Sequence, residues 1–371
     1  MKNEKAKSRK TVLIISAGKK TNWSGIEFYA LGLADGLTKA GLRAYLGCPD
    51  GSIAQARAKL LFVPTVNLRI RNSGDFLGAF NLMFIILIKK IDVVVANFGR
   101  DYWVCAFVSY LLGVKLIVVR HQTNRLKNIT NWLIQKAVDR VIAVSAAVKD
   151  VLIRSGVDDG KIDILYSGID RQIYNSNRAD KNSIRAKLNI SEDAIVVGTA
   201  GRLKKEKGVF ELLVAFKQLS VKYPLLKLLY VGDGPEQTNL LQTAKALDIS
   251  ERVVFAGYQE DMPSMYCAMD IFVLSSTCAE AFGLVVIEAM AMARPVVATA
   301  SGGVLEIIAN EETGLIVPIK DPQALSFAIE RYIKDRKFYE RTVDLSLDRI
   351  NAQFSLDKTA WNFINILDKL K

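Results

Sequence analysis

Two glutamates stand eight residues apart in the stretch C-A-E-A-F-G-L-V-V-I-E-A-M-A-M-A-R, residues 278–294. Glu280 comes just before a Phe-Gly pair, and Glu288 lies inside a run that is otherwise apolar. Gly283 and the absence of proline before Pro295 predict a helix that starts near Phe282 and ends before Pro295. A helix apolar on nearly every face is buried. A buried carboxylate costs several kcal/mol unless something pairs with it, so Glu288 needs a partner. The start of such a helix also offers unpaired N–H groups and a positive dipole end, which suit an anion. One glutamate before that terminus and one on its second turn can bracket a ligand that carries both hydroxyls and phosphate. The same residues also fit a core helix whose Glu288 bonds a buried backbone group or an arginine.

Cations gather in G-T-A-G-R-L-K-K-E-K-G, residues 198–208, between an expected strand and an expected helix. Arg202 falls just past the strand's carboxyl end and Lys207 just before the helix. Two fixed cations plus a helix N-terminus make a diphosphate clamp; the alternative is an exposed basic turn. The loop is not a Walker loop, because the order G-x-x-x-x-G-K-[ST] is missing. V-G-D-G-P at 231–235 ends a further strand in a tight turn that Asp233 can shape. Ser301-Gly302-Gly303 precedes Glu306 on another expected helix. His121 is the sole histidine and follows the strand-like L-I-V-V-R. It can bond a substrate oxygen, shift its charge near pH 7, or serve structure alone. One histidine and no paired cysteines argue against a transition-metal site.

The elements that must carry these residues alternate along the chain. Apolar, β-branched runs at 11–16, 42–46, 93–96, 116–119 and 140–144 read as buried parallel strands, with helical stretches between them. A loop through Gly18, Asn22 and Gly25 leads into a helix over 26–40. Strand, glycine loop and helix form the opening unit of a doubly wound fold, although the loop is not G-x-G-x-x-G. Residues 170–191 turn polar and mark an inter-domain linker. The pattern then repeats, with strands at 195–199, 226–231, 253–255, 271–274 and 295–298 and a helix over 209–223. Residues 355–371 form an amphipathic helix with no strand after it, expected to pack on the first domain. The reading is two doubly wound domains, 1–172 and 190–354, both of the α/β class.

Composition bounds the partners. Residues 1–180 hold 27 Lys and Arg against 14 Asp and Glu, and the rest hold 23 against 24. The net charge of +12 thus comes from the first half. Nucleic acid, an anionic membrane surface or an acidic small molecule would explain it, as would a solvated surface with a loose basic tail at 2–10. The thirteen residues at 76–88 are nearly all apolar and precede Lys89-Lys90. A bilayer span needs about 20 residues, so this is a buried helix, or one whose exposed face meets a membrane interface. No export signal is expected, and Cys48, Cys105, Cys267 and Cys278 read as reduced core thiols of a cytoplasmic protein.

The ordered set G-R-L-x-x-E-K-G, V-G-D-G and E-A-F-G-L-V-V-I-E resembles the retaining nucleotide-sugar glycosyltransferases of family 4, which have the GT-B fold. S-G-I-E-F-Y-A-L-G-L-A-D-G-L-T-K-A-G-L near the start and S-G-I-D at 167–170 extend the resemblance over almost the whole chain. The family usually has Gly-Gly where this chain has Ser24-Gly25, and Asn-Gly where it has Ser167-Gly168. The resemblance implies that Arg202 and Lys207 hold the donor's diphosphate and that Glu288 bonds the ribose hydroxyls. It implies that Glu280 contacts the sugar ring, with the Phe282, Gly283 and Leu284 amides near sugar and phosphate. Gly25 would let the backbone approach the diphosphate from across the cleft, and His121 would lie on the acceptor side. No cofactor and no metal are implied beyond the nucleotide-sugar co-substrate, a UDP-sugar being favoured. The implied acceptor is a glycan or a lipid-linked glycan in cell-surface polysaccharide or lipopolysaccharide synthesis. The implied location is peripheral, on the inner face of the cytoplasmic membrane. Epimerases and phosphorylases of the same fold are the nearest competing class. A nucleic-acid-binding protein is remote, since no helix-turn-helix or aromatic-interleaved basic motif occurs.

Overall fold

The computed structural model describes residues 10–21, 23–176 and 180–370. Most of the basic tail (2–9), Asn22 of the first glycine loop, 177–179 of the expected linker and Lys371 lie outside the described residues. The chain divides into two compact units. The first runs up to Gly168 and includes the stretch from Ser355 onward; the second is Ile169–Phe354.

The first unit is built on seven parallel strands: β1 (Val12–Ile15), β2 (Ala44–Cys48), β3 (Thr65–Asn67), β4 (Val93–Ala96), β5 (Lys115–Arg120), β6 (Arg140–Ala143) and β7 (Ile162–Ile164). Their order is β3-β2-β1-β4-β5-β6-β7. Every residue of β1 and β4 is buried, as a sheet covered on both faces requires. Val12 pairs with Ala44 on one side and with Val93 on the other, so β1 is central and the strand order reverses between β1 and β4. The helix Leu356–Asp368 packs on the helix Gly25–Lys39. Lys10 Nζ donates to the carbonyls of Leu367 (2.7 Å) and Leu370 (2.9 Å).

The second unit repeats the design with β8 (Ile195–Ala200), β9 (Leu226–Val231), β10 (Val253–Gly257), β11 (Ile271–Leu274), β12 (Val296–Thr299) and β13 (Leu315–Val317). The order is β10-β9-β8-β11-β12-β13, all parallel, with the reversal between β8 and β11. Its core packs Leu212, Phe216, Leu228, Tyr230, Val273 and Ile329 around this sheet.

Three strands went unexpected. β3, β7 and β13 are each three residues long; β3 (T-V-N) and β7 (I-D-I) are interrupted by polar residues, and β13 (L-I-V) is apolar but very short. β2 lies two residues later than its apolar pattern suggests. The segment expected to be a buried helix forms the helix Phe76–Lys89, but only one of its faces is buried. Cys278 is exposed, against expectation, while Cys48, Cys105 and Cys267 are buried. Among the described residues no helix is long and apolar enough to cross a membrane.

Candidate active site

In an open parallel sheet, ligands bind at the carboxyl edge where strand order reverses. In the second unit that point lies between β8 and β11, and the loops after those two strands carry the cations and Glu280. The loop after β8 is pinned from beneath by V-G-D-G. The Leu203 N–H donates to the Asp233 carbonyl (2.8 Å), and the Leu203 carbonyl accepts from the Glu236 N–H (3.0 Å). Leu203 is buried while Arg202 points outward, and the Arg202 guanidinium has no hydrogen-bond or ion-pair partner among the described residues. Gly208 has φ +65°, and a Cβ there would lie 1.7 Å from the Ser275 carbonyl oxygen. That contact locks the two loops together and fixes Lys207 at the start of the helix Val209–Ser220. Ser275 Oγ donates to the Lys207 carbonyl (3.0 Å), and the Thr277 N–H donates to the Glu206 carbonyl (2.9 Å).

Lys207 Nζ therefore meets Glu280. It lies 2.7 Å from Oε1 and 2.9 Å from Oε2, and Ser276 Oγ donates to Oε1. The glutamate is mostly buried, the lysine about one-third exposed. The Glu280 backbone is held from the other side by Ser301-Gly302-Gly303. Gly302 adopts φ +53°, with its Cβ position only 2.2 Å from the Glu280 carbonyl oxygen, and the Gly303 N–H donates to that oxygen at 2.9 Å. The structure thus pairs Lys207 with Glu280 directly. Arg202 and Lys205, on the same loop as Lys207, are left without an ion-pair partner among the described residues.

The helix carrying Glu288 spans Leu284–Ala291. It begins two residues later than expected because Gly283 takes φ +108° and Phe282 is buried with its ring 5.9 Å from that of Phe354. Glu288 is buried. Its partners are neither backbone nor arginine: Tyr266 OH donates to Oε2 at 2.5 Å and Tyr174 OH to Oε1 at 3.1 Å. Burial pushes the carboxyl group up to about 7, although both tyrosine hydroxyls pull it back down. The Arg171 guanidinium donates to the Ala291 carbonyl at the helix's carboxyl end and to the Tyr174 carbonyl (3.0 Å). The two glutamates share no partner. Glu280 belongs to a Lys207–Ser276 group and Glu288 to a Tyr174–Tyr266 group, one at each end of the Phe282–Gly283–Leu284 turn and its helix.

In the first unit, Gly25 is the first residue of the helix Gly25–Lys39 and Ser24 is its N-cap. The Ser24 N–H and Oγ both donate to Glu27 Oε2, and the Ile26 N–H donates to Ser24 Oγ. This is a reciprocal capping box, signalled by S-G-I-E, and it gives Ser24 work that a glycine cannot do. His121 follows β5. Its Nε2 lies 3.2 Å from Asn97 Oδ1, while Asn97 Nδ2 donates to the Ile15 carbonyl (3.0 Å). With Asn97 so oriented, Nε2 carries the proton. The Tyr29 ring meets the imidazole edge-on, with centroids 4.9 Å apart. Burial, then the neighbouring Arg120 charge, hold His121 down to about 3. The ring is neutral at physiological pH, which removes the expected charge shift near pH 7 and leaves hydrogen bonding as its chemistry.

Sequence reasoning missed Ser276, Tyr174, Tyr266 and Asn97. Ser276 follows β11 within four residues of Glu280, and its polar type at a strand's carboxyl end was a usable signal. Nothing local marks the tyrosines, which lie 114 and 22 residues from Glu288.

The family description "Glycosyl transferases group 1" matches residues 180–345, and "Glycosyltransferase Family 4" matches residues 23–173. Among curated relatives, an N-acetyl-alpha-D-glucosaminyl L-malate synthase of Bacillus anthracis is 26% identical over 73% of this chain and 72% of that protein. The lipopolysaccharide core biosynthesis glycosyltransferase LpsE of Rhizobium meliloti is 36% identical over 49% of this chain and 52% of that protein. The chain therefore spans only about half of the second relative. Anabaena Alr3699/HepE, solved in complex with UDP and glucose, superposes with a TM-score of 0.84 at 23% identity, over 97% of this chain and 100% of that one. That likeness shows the fold: two Rossmann-like domains of the GT-B type.

Proposed function

The chain belongs to the group 1, family 4 glycosyltransferases, and on that premise we propose that it is a retaining, metal-independent hexosyltransferase. It moves a hexose-type sugar from a nucleotide diphosphate, UDP favoured, to a glycan or lipid-linked acceptor in cell-surface polysaccharide or lipopolysaccharide assembly. The observation that carries the reading is the Lys207–Glu280 pair, at the reversal point of the second sheet and on the same loop as the unneutralised Arg202.

The roles follow from the chemistry of the step. The bond between the anomeric carbon and the donor phosphate breaks, and its electron pair stays on the phosphate oxygen. Positive charge develops on the sugar. The acceptor hydroxyl attacks from the same face and its proton passes to the departing phosphate. Negative charge grows on that phosphate, where Arg202, Lys207 and the amides of Phe282, Gly283 and Leu284 stabilise it. An arriving diphosphate competes with Glu280 for Lys207. The Glu280 carboxylate is then released to accept from sugar hydroxyls. Glu288 takes the ribose hydroxyls, joining or replacing the tyrosine donors. Gly25 keeps its backbone role toward the diphosphate, and neutral His121 orients the acceptor or sugar as a hydrogen-bond partner. Peripheral attachment at the inner membrane face follows from the basic first half and the exposed face of the helix Phe76–Lys89.

The test is a thermal-shift panel of nucleotide diphosphates and their sugars, since a ligand that binds the folded form raises its unfolding temperature. One nucleotide, with its sugar, is expected to stabilise the protein, and the Lys207→Ala protein to lose that shift. A folded sample indifferent to every such donor would overturn the proposal.

A further inference from the structure

Each oxygen of the Glu288 carboxylate carries one tyrosine. Tyr266 OH donates to Oε2 at 2.5 Å and Tyr174 OH to Oε1 at 3.1 Å. The two phenols arrive from different elements, and each is held without help from a ligand. Tyr266 lies on the helix Met262–Ala268, is fully buried and meets the Phe272 ring edge-on, with centroids 5.5 Å apart. Tyr174 is fixed through its backbone. Its N–H donates to the Asp170 carbonyl (2.9 Å), and its carbonyl accepts from Arg171, whose guanidinium also donates to the Ala291 carbonyl. A clamp thus runs from the carboxyl end of the Glu288 helix to the Tyr174 backbone.

Among the described residues no cation pairs with Glu288. Arg171 is committed to two carbonyls, and Asp170 accepts from the Gln172 N–H (2.8 Å). On the neighbouring helix Arg336–Gln353, Arg349 donates to the Glu306 and Ile307 carbonyls, and Arg341, Asp344 and Asp348 are exposed. The Cys267 thiol beside Tyr266 is pushed up by burial and stays neutral. A charged partner is the ordinary way to stabilise a buried carboxylate, and an apolar side chain would fill a purely structural position at lower cost. Two neutral donors leave the group at about 7 instead. That arrangement suits a carboxylate that receives a ligand. Each of its oxygens accepts along two directions, and each phenol has a single proton to give. One acceptor direction per oxygen is therefore left. Two such directions side by side fit the two adjacent hydroxyls of a ribose.

We propose that Tyr266 and Tyr174 are positioning residues, which hold the Glu288 carboxylate so that each oxygen keeps one acceptor direction for one hydroxyl of a ribose diol. The inference rests on the glycosyltransferase reading and on Glu288 as the ribose partner. It adds what aims that group and what the aim selects. Without the phenols the carboxylate turns about its last side-chain bond and takes a single hydroxyl as readily as a pair. With both in place, a sugar that lacks one hydroxyl leaves an aimed oxygen short of a partner in a buried site, which is where discrimination is greatest. Tyr266, at the shorter distance, contributes the larger share and Tyr174 the smaller. Both phenols also favour the ionised carboxylate, the form that accepts from hydroxyls.

Two readouts separate aiming from packing. In the ligand-free protein, NMR titration of carboxyl-labelled glutamate follows Glu288, identified by its absence in Glu288→Gln. Tyr266→Phe is expected to raise the titration midpoint by about one pH unit or more, and Tyr174→Phe to raise it by less. The folded carboxyl of each variant then holds its proton more tightly, so any loss of stability grows as pH rises. Urea unfolding of both variants is expected to match wild type more closely at pH 5 than at pH 8, whereas a packing defect would cost the same at both. In the second readout, calorimetric titration at pH 8 compares UDP-glucose with its deoxyribose counterpart. Wild type is expected to favour the ribose form by about tenfold or more, Tyr266→Phe by about threefold or less, and Tyr174→Phe by an intermediate ratio. An unmoved Glu288 midpoint in both variants, or an undiminished ribose preference in both, would overturn the inference. So would equal binding of the two sugars by wild type, which leaves the donor reading intact. If wild type bound neither, the glycosyltransferase donor reading would fail, and this inference with it.

Discussion

With a carboxyl group that titrates near pH 7, Glu288 is protonated in about nine of ten molecules at pH 6 and in about one of ten at pH 8. Ribose hydroxyls that donate to this group select its ionised form. The apparent affinity for a nucleotide sugar should then be about tenfold weaker at pH 6 than at pH 8, because only the ionised fraction is competent. A nucleotide sugar is the right probe, since its diphosphate has no ionisation in that range. Glu288→Gln should bind more weakly than wild type at pH 8 and show a flat profile. Stability supplies an independent check on the same value. The folded-state value lies above the ordinary 4.5, so the folded protein holds this proton more tightly than the unfolded chain does. The contribution is most favourable below about pH 4.5 and is lost as pH rises to about 7. Above pH 7 the ionised, desolvated carboxylate costs up to about 3 kcal/mol, and Glu288→Gln should be more stable than wild type there by a sizeable part of that. Calorimetric titration from pH 6 to 8 and urea unfolding at pH 5 and pH 8 read both effects. Parallel pH profiles for wild type and Glu288→Gln, or a wild-type profile with no slope, would refute the assignment of Glu288 to the ribose.

Two further outcomes are expected. Gly302→Ala places a Cβ against the Glu280 carbonyl at a left-handed φ, and should cost about 2 kcal/mol or more. The check is an unfolding midpoint several degrees lower together with reduced turnover, and Gly208→Ala should act in the same direction through Ser275. His121 should contribute no inflection to kcat/KM between pH 5.5 and 8, since its imidazole stays neutral. His121→Ala should nevertheless lower turnover, and a wild-type inflection near pH 6.5 that this variant abolishes would contradict the neutral ring.

What the sequence disclosed depended on how local the physics is. The all-buried strands Val12–Ile15, Val93–Ala96 and Ile271–Leu274 announce themselves as continuous apolar runs, because both faces of each are covered. The edge strand Thr65–Asn67 cannot, having a single buried residue, whereas Leu315–Val317 is apolar throughout and only its shortness hides it. Glycines at 208, 283 and 302 were visible as types, but their purpose lies in contacts with Ser275, Val304 and Glu280, which only the folded chain brings near. The buried state of Glu288 was readable from its apolar neighbours. Its tyrosine partners were not, since they arrive from another helix and from the segment just after Gly168. The capping box at Ser24 and Glu27 was written in S-G-I-E and went unread.

The account turns on whether Lys207 and Arg202 grip a nucleotide's diphosphate. Calorimetric titration of UDP, or of the nucleotide that stabilises wild type, into wild-type, Lys207→Ala and Arg202→Ala proteins tests this most directly. The account predicts at least a tenfold loss of affinity in each variant, with the ligand-free melting temperature of Arg202→Ala close to wild type and that of Lys207→Ala lowered because Glu280 loses its ion-pair partner. Affinities within twofold of wild type in both variants would contradict it.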